Sequence, residues 1–199
     1  MTSAEASELT TPIYAFGGAG QTGKKIKSRK EKNMKHTYNS CTITGRAAEQ
    51  LPYGMDEGHP DCIALKIALT NKIAELHTMG VTEFYSNAEY GVSFFGAEAV
   101  IALRGSLNIN LNICMPFERQ ADRYSREVRE RFFELHELSD TVEILSARFY
   151  ENCYHETDMH MVDRSDIIIA DNLESFIISY AAKNQKRIEL LDNLPLEIL

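Results

Sequence analysis

Three short runs of this 199-residue chain place glycine, hydroxyl, amide and charged side chains together in patterns suited to holding a polar small molecule. The first follows the β-branched tetrad Cys41-Thr42-Ile43-Thr44 and reads Gly45-Arg46-Ala47-Ala48-Glu49-Gln50-Leu51-Pro52. A strand that ends on glycine leaves backbone N–H groups, and here a guanidinium, at the carboxyl edge of a sheet. Open α/β folds bind ligands at that edge, phosphorylated ones among them. The second run is Ser86-Asn87-Ala88-Glu89-Tyr90-Gly91-Val92-Ser93. Its hydroxyl and amide groups can cap a helix or bond a ligand, and Gly91 permits close backbone approach. Plain capping by Ser93 is the stronger reading of the pattern alone. The third run, Ala170-Asp171-Asn172, closes another strand-like segment. If the three converge, Thr44, Gly45, Arg46, Ser86, Asn87, Gly91, Ser93, Asp171 and Asn172 are the ligand-binding candidates.

Other chemistry finds little support. Gly18-Ala19-Gly20-Gln21-Thr22-Gly23-Lys24 has the spacing of a phosphate loop, but Lys25 stands where magnesium needs Ser or Thr, and a lysine-rich polar run replaces the helix. His155-Glu156-Thr157-Asp158-Met159-His160 gathers possible metal ligands without the i, i+4 histidine spacing of a zincin helix, and reads as a polar loop. No Gly-x-Ser-x-Gly elbow or Cys/His pairing argues for a covalent nucleophile. The cysteines at 41, 62, 114 and 153 form no C-x-x-C pair and read as buried free thiols. No catalytic residue, metal or cofactor is therefore expected.

Charge separates the chain into two parts. The whole carries −8, yet seven lysines and arginines crowd the stretch from Lys24 to Lys35, so the remainder is more acidic still. Such a body is a poor nucleic-acid surface; only the basic arm near Lys24 could hold a phosphate backbone, and a solvated charge run is its simpler reading. Residues 1–35 read as a flexible basic extension, and 36–199 as the folded domain, with Met34-Lys35-His36 resembling an ordinary protein start. No apolar run approaches the ~20 residues a bilayer span needs, and the N-terminus lacks a secretory signal, so a cytoplasmic location is expected, with no membrane partner.

The elements that must position these runs alternate. Strands are expected at 38–44, 82–86, 107–115, 142–145, 166–170 and 187–191. Helices are expected at 62–79 (with Ile63, Ile67, Ala74 and Leu76 as apolar positions), 92–104, 119–138 (Phe132, Phe133 and Leu135 buried), 158–164 and 173–183. The alternation implies a mostly parallel, Rossmann-like α/β sheet sandwiched by helices.

Taken in order, Thr44–Pro52, Gly96–Arg104 and Met161–Ala170 resemble the YpsA-like branch of the SLOG superfamily, which groups the Smf/DprA and LOG proteins on a Rossmann-like fold. The resemblance covers about Tyr38 to Leu191. It implies a pocket for a nucleotide or nucleotide-derived ligand at the strand ends. Thr44, Gly45, Glu49, Leu51 and Pro52 match the first family loop, while Arg46 stands one position before the family's arginine. Ser86, Gly91 and Val92 match the second loop, with Asn87 replacing a glycine and Ser93 an acid. Thr157-Asp158 replaces an Arg-Asn pair, and Asp171-Asn172-Leu173-Glu174-Ser175 replaces a Gly-Gly-Thr turn. The LOG catalytic signature is absent, and Glu98 is the carboxylate that matches the family.

The leading expectation is a module that binds a nucleotide-derived small molecule through altered pocket loops, with Arg46 supplying charge. A non-catalytic interaction protein with a degenerate pocket and a nucleotide-processing hydrolase are the alternatives, and a homo-oligomer is compatible with each. A cavity at the strand ends filled by Tyr90, Phe94 or Phe176 would count against binding.

Overall fold

The computed structural model describes residues 37–191. The phosphate-loop-like run at 18–24 and the basic arm lie outside the described residues. Strand and helix alternate as β1 (Ser40–Ile43), α1 (Pro60–Thr78), β2 (Glu83–Ser86), α2 (Val92–Leu103), β3 (Asn110–Met115), α3 (Arg126–Leu138), β4 (Thr141–Ile144), α4 (Cys153–Asp163), β5 (Ile167–Ala170), α5 (Phe176–Lys183) and β6 (Arg187–Leu190). The strands make one sheet in the order β4-β3-β2-β1-β5-β6, with every neighbouring pair parallel. Parallel neighbours need crossovers, and helices supply them. This is the Rossmann-like α/β architecture that the alternation predicts. The strand order runs outward from β1 in one direction and from β5 in the other, so the β1/β5 boundary is the topological switch point. Loops leaving two such strands diverge and open a crevice.

Alternation within the strands sorts the two faces. Cys41 and Ile43 of β1, Phe84 of β2, Leu111 and Ile113 of β3, and Ile167 and Ile169 of β5 join residues of α1, α2 and α3 in the main core. Ile168 and Ala170 point the other way, onto Val162 of α4 and Ile177, Ile178 and Ala181 of α5. The isoleucine run of β5 is thus buried on both faces, as expected of an interior parallel strand. The second face of β1 is polar: Ser40 Oγ donates to Arg164 O at 3.1 Å, and the Thr42 and Ser165 hydroxyls are 2.8 Å apart. Gly96 lets α2 lie directly on β1, since a Cβ there would be 2.5 Å from Ile43 Cγ2.

Several local expectations need correction. Helix α1 buries Cys62, Leu65, Leu69, Ile73 and Leu76, an i, i+3, i+4 stripe, and turns Ile63 and Ile67 to solvent. The charged segment expected as one helix over 119–138 is broken, because the Ser125 hydroxyl accepts from Val128 N and starts α3 only at Arg126. Phe133 on that helix is about half exposed, whereas Phe132 and Leu135 are buried. The stretch expected as a polar loop from His155 belongs to α4, which begins at Cys153. All four cysteines are buried and free. No helix among the described residues is long and apolar enough to cross a membrane.

Candidate ligand-binding site

A cavity of about 620 Å³ opens at the carboxyl edge of the sheet, at the β1/β5 switch point. The β1 loop contributes Thr44, Gly45, Arg46 and Ala47; the β5 loop and the start of α5 contribute Asp171, Asn172, Ser175, Phe176 and Ile177. The first and third runs of the sequence therefore do meet. Asp171, its side chain fully buried, binds the opposite loop twice: Oδ1 accepts from Arg46 N at 3.1 Å and Oδ2 from Arg46 Nε at 2.8 Å. Glycine at 45 makes this possible, because a Cβ there would stand 2.5 Å from Asp171 Oδ1 and 2.7 Å from Val92 Cβ. The guanidinium read as a charge for the ligand is thus held by a carboxylate.

The second run does something else. Ser86 and Ser93 are buried and line no part of the cavity. Ser86 Oγ donates to Ser93 O at 2.9 Å and accepts from Ala88 N at 3.0 Å, and Ser93 Oγ donates to Ile43 O at 2.9 Å, so Ser86 ties the start of α2 to the end of β2 and Ser93 ties it to β1. Gly91 has φ of +139°, and a Cβ would sit 2.4 Å from Arg46 O. Its close backbone approach is to the β1 loop, through a bridge to Ala47, and not to open space. Asn87 acts at one remove: its Nδ2 donates to Asp158 Oδ1 at 2.9 Å while its Oδ1 accepts from Glu89 N.

The sequence reading names Asp158 as a possible metal ligand and as part of the replacement of an Arg-Asn pair, but not as a ligand-binding candidate. Glu151, Tyr154, His155 and Asp158 fall at i, i+3, i+4 and i+7, and all four line the cavity, with Glu89 opposite. Tyr154, His155 and Asp158 lie on α4 and Glu151 just before it, and that spacing was the available signal, hidden because the expected helix starts only at 158. Burial raises the Asp158 carboxyl to about 7, with Glu89 adding to the rise and the hydrogen bonds from Asn87 and Thr44 opposing it. Burial also raises Glu89 to about 7, against the pull of Arg123 and with a push from Glu49. Groups in this range can hold or release a proton near neutral pH. The His155 and Phe176 rings lie 5.3 Å apart at 36°, and Phe176 is half exposed, so they form an aromatic wall without filling the space. Tyr90 and Phe94 are buried in the main core.

Glu98 lies away from the cavity: its carboxylate is paired with Arg131 Nε and Nη2, each at 2.7 Å. His155 and His160 do not converge on a metal. Among the described residues the group with ligand atoms close enough together is Cys114, Glu143 and His160, and there the Arg164 guanidinium is 2.6 Å from Glu143 Oε2.

The model of the YspA SLOG family, named YpsA, matches residues 41–194. The chain belongs to the YpsA family of SLOG proteins. The switch-point cavity therefore belongs to a SLOG module. The chain is 27% identical over 132 residues to the UPF0398 protein ABC2016 of Shouchella clausii, a match spanning 64% of this chain and 70% of that one. It is 29% identical over 111 residues to the UPF0398 protein BH1768 of Halalkalibacterium halodurans, spanning 55% and 58% respectively. Among solved structures it is similar to the DNA processing protein A from Helicobacter pylori, a protein with a single-stranded DNA binding mode. That match has a TM-score of 0.49 and 17% identity, over 80% of this chain and 68% of that one.

Proposed function

We infer that this SLOG module binds a nucleotide-derived small molecule in the cavity at the β1/β5 switch point. The observation that carries the reading is the cavity itself. It is an open space of about 620 Å³, within the size range of small-molecule sites, at the place where this topology leaves a crevice. Thr44, Gly45, Arg46, Asp171 and Asn172 line it, Asn87 supports its floor through Asp158, and Gly91 and Ser93 hold the loop behind it. The protein acts in the cytoplasm as a ligand-responsive module, and the acidic cavity gives no path for a nucleic-acid backbone.

Thermal unfolding of the full chain with nucleosides, nucleotides and dinucleotides tests the reading. A true ligand at about 100 times its Kd stabilises by about 2.7 kcal/mol, and the rise saturates. Asn172→Trp, which puts an indole into the space, should abolish the rise while leaving the unliganded protein folded. An equal rise in that variant would place the ligand elsewhere, and no rise with any compound would leave an interaction protein with a degenerate pocket as the better reading.

A hydrolytic reading has one observation in its favour: two carboxyls near 7, Asp158 and Glu89, share the cavity. Turnover of a bound compound that Asp158→Asn removes, with binding retained, would support it.

A further inference from the structure

Outside the cavity, on the α4 face of the sheet, one cluster joins three kinds of metal-ligating side chain. Cys114 of β3 and Glu143 of β4 are directly opposed in the parallel register, so their side chains leave the same face of the sheet. Helix α4 sets His160 against them, with His160 Nε2 3.0 Å from Glu143 Oε2. A thiol sulfur, a carboxylate oxygen and an imidazole nitrogen, one from each element, thus lie within 4.8 Å of one another. Tetrahedral zinc, with a bond of about 2.3 Å to sulfur and about 2.0 Å to nitrogen or oxygen, needs such atoms about 3.5 Å apart. Cys114 is buried on an interior strand, whereas Glu143 is exposed and His160 half-buried, so the two side chains that must close the gap have room to do so.

The cluster already holds a positive charge. Arg164, four residues beyond His160, puts Nη1 2.6 Å from Glu143 Oε2. Burial and Glu143 push the Cys114 thiol up to about 11, and the same guanidinium opposes that rise. A cation is therefore shared by thiol and carboxylate, on a side chain that is itself partly exposed and can turn to water. Zinc in its place would face one thiolate and one carboxylate, and the charges would close to zero. Calcium and magnesium take oxygen ligands, so the sulfur and nitrogen here favour zinc. The position also suits a tie: β4 is an edge strand whose four residues are all exposed, and the ligands would join it to β3 and α4.

We propose that Cys114, Glu143 and His160 form a zinc site, with water as the fourth ligand on the exposed side and Arg164 as the group the metal displaces. Binding forms the zinc–sulfur bond as the Cys114 thiol proton passes to solvent, and no oxidation or reduction takes place. The bound ion pins the β4 edge to α4.

Competition of the metal-free full chain against a chromophoric zinc chelator tests this, with cobalt(II) as the spectroscopic probe. Zinc should bind one-to-one with a Kd at or below about 1 μM, and His160→Ala should weaken it at least about tenfold, about 1.4 kcal/mol. The cobalt form should show thiolate-to-metal charge transfer that Cys114→Ser removes. Arg164→Gln should tighten zinc by about two- to fivefold, the worth of an exposed ion pair that no longer has to be broken. Binding only at millimolar zinc, binding unchanged in His160→Ala or Cys114→Ser, or binding weakened in Arg164→Gln overturns the proposal. If Cys114→Ser does not fold, the wild-type cobalt spectrum and the His160→Ala affinity decide.

Discussion

Asp158→Asn is the perturbation on which the electrostatic account of the cavity stands most directly. In the folded chain the Asp158 carboxyl is lifted from an ordinary 3.8 to about 7, first by burial and then by Glu89. The sign follows from linkage: the native state holds this proton more tightly than the unfolded state, so stability falls as pH rises from about 4 to about 7 and is level above that. Taken whole, the difference is worth about 4 kcal/mol at neutral pH. Water reaching Asp158 through the open cavity screens part of that, so about 2 kcal/mol is a reasonable expectation. Asparagine keeps the shape and the acceptor for Asn87 Nδ2, and its own amide can donate to the Thr44 hydroxyl, so the hydrogen bonds of the wild type at 2.9 and 3.4 Å have replacements. Urea unfolding of both proteins from about pH 5 to about pH 8 should show the variant gaining on the wild type by about 2 kcal/mol over that range, with little further change above it. A difference that stays constant with pH, which means that Asp158 is ionised throughout, or a variant that loses ground as pH rises, which means that the folded chain holds this proton less tightly than the unfolded one, would refute the reasoning.

Three further outcomes follow from the same geometry. Gly91→Ala should lower stability by at least about 3 kcal/mol or prevent folding, because the φ of +139° is strained for alanine and the added Cβ would sit 2.4 Å from Arg46 O; chemical denaturation measures it. Arg131→Met removes the guanidinium that holds Glu57 Oε1 at 2.5 Å and Glu98 at 2.7 Å, and should cost about 2 kcal/mol near neutral pH by the same assay. Burial alone would raise the Glu57 carboxyl, but bonds from Arg131, Lys66 and Tyr90 take it from 4.5 down to about 2. The stabilisation is therefore present above 4.5 and is lost as pH falls towards about 2, where the difference between variant and wild type should shrink. The four buried cysteines should resist a thiol reagent in the native state and all react in denaturant, with Cys41, pushed far up by burial on an interior strand, among the slowest; prompt native-state labelling of Cys41 would contradict the packing of β1.

Much of the fold was legible because it is written in local periods. The three consecutive isoleucines of β5 could satisfy only a strand buried on both sides, and Gly80, at φ +106°, marks the end of α1 as a left-handed C-terminal glycine does. The strand expected over 107–115 holds as β3, although pairing begins only at Asn110. Where local signals competed, the reading failed. Ile63 and Ile67 have the character of core residues, but the stripe through Leu65, Leu69 and Ile73 faces α2 and excludes them. The Ser125 cap cut a helix that its charge pattern had made continuous.

By itself, then, the sequence determined the parallel α/β sheet and the family, and raised a shared crevice for the loops after β1, β2 and β5 only as a condition. Side-chain period and turn chemistry act over a few residues, and the strand order that follows from them brings Gly45-Arg46 to Asp171-Asn172. The tertiary structure alone decided what that crevice contains. Whether Arg46 is available or held at 2.8 Å by Asp171, whether the amides of α2 face a ligand or a neighbouring carbonyl, and whether Asp158 faces a cavity shared with Glu89 all depend on distances between segments far apart in the chain. Electrostatic and hydrogen-bonding character is a property of such distances and of the solvent they exclude, and residue type does not encode it.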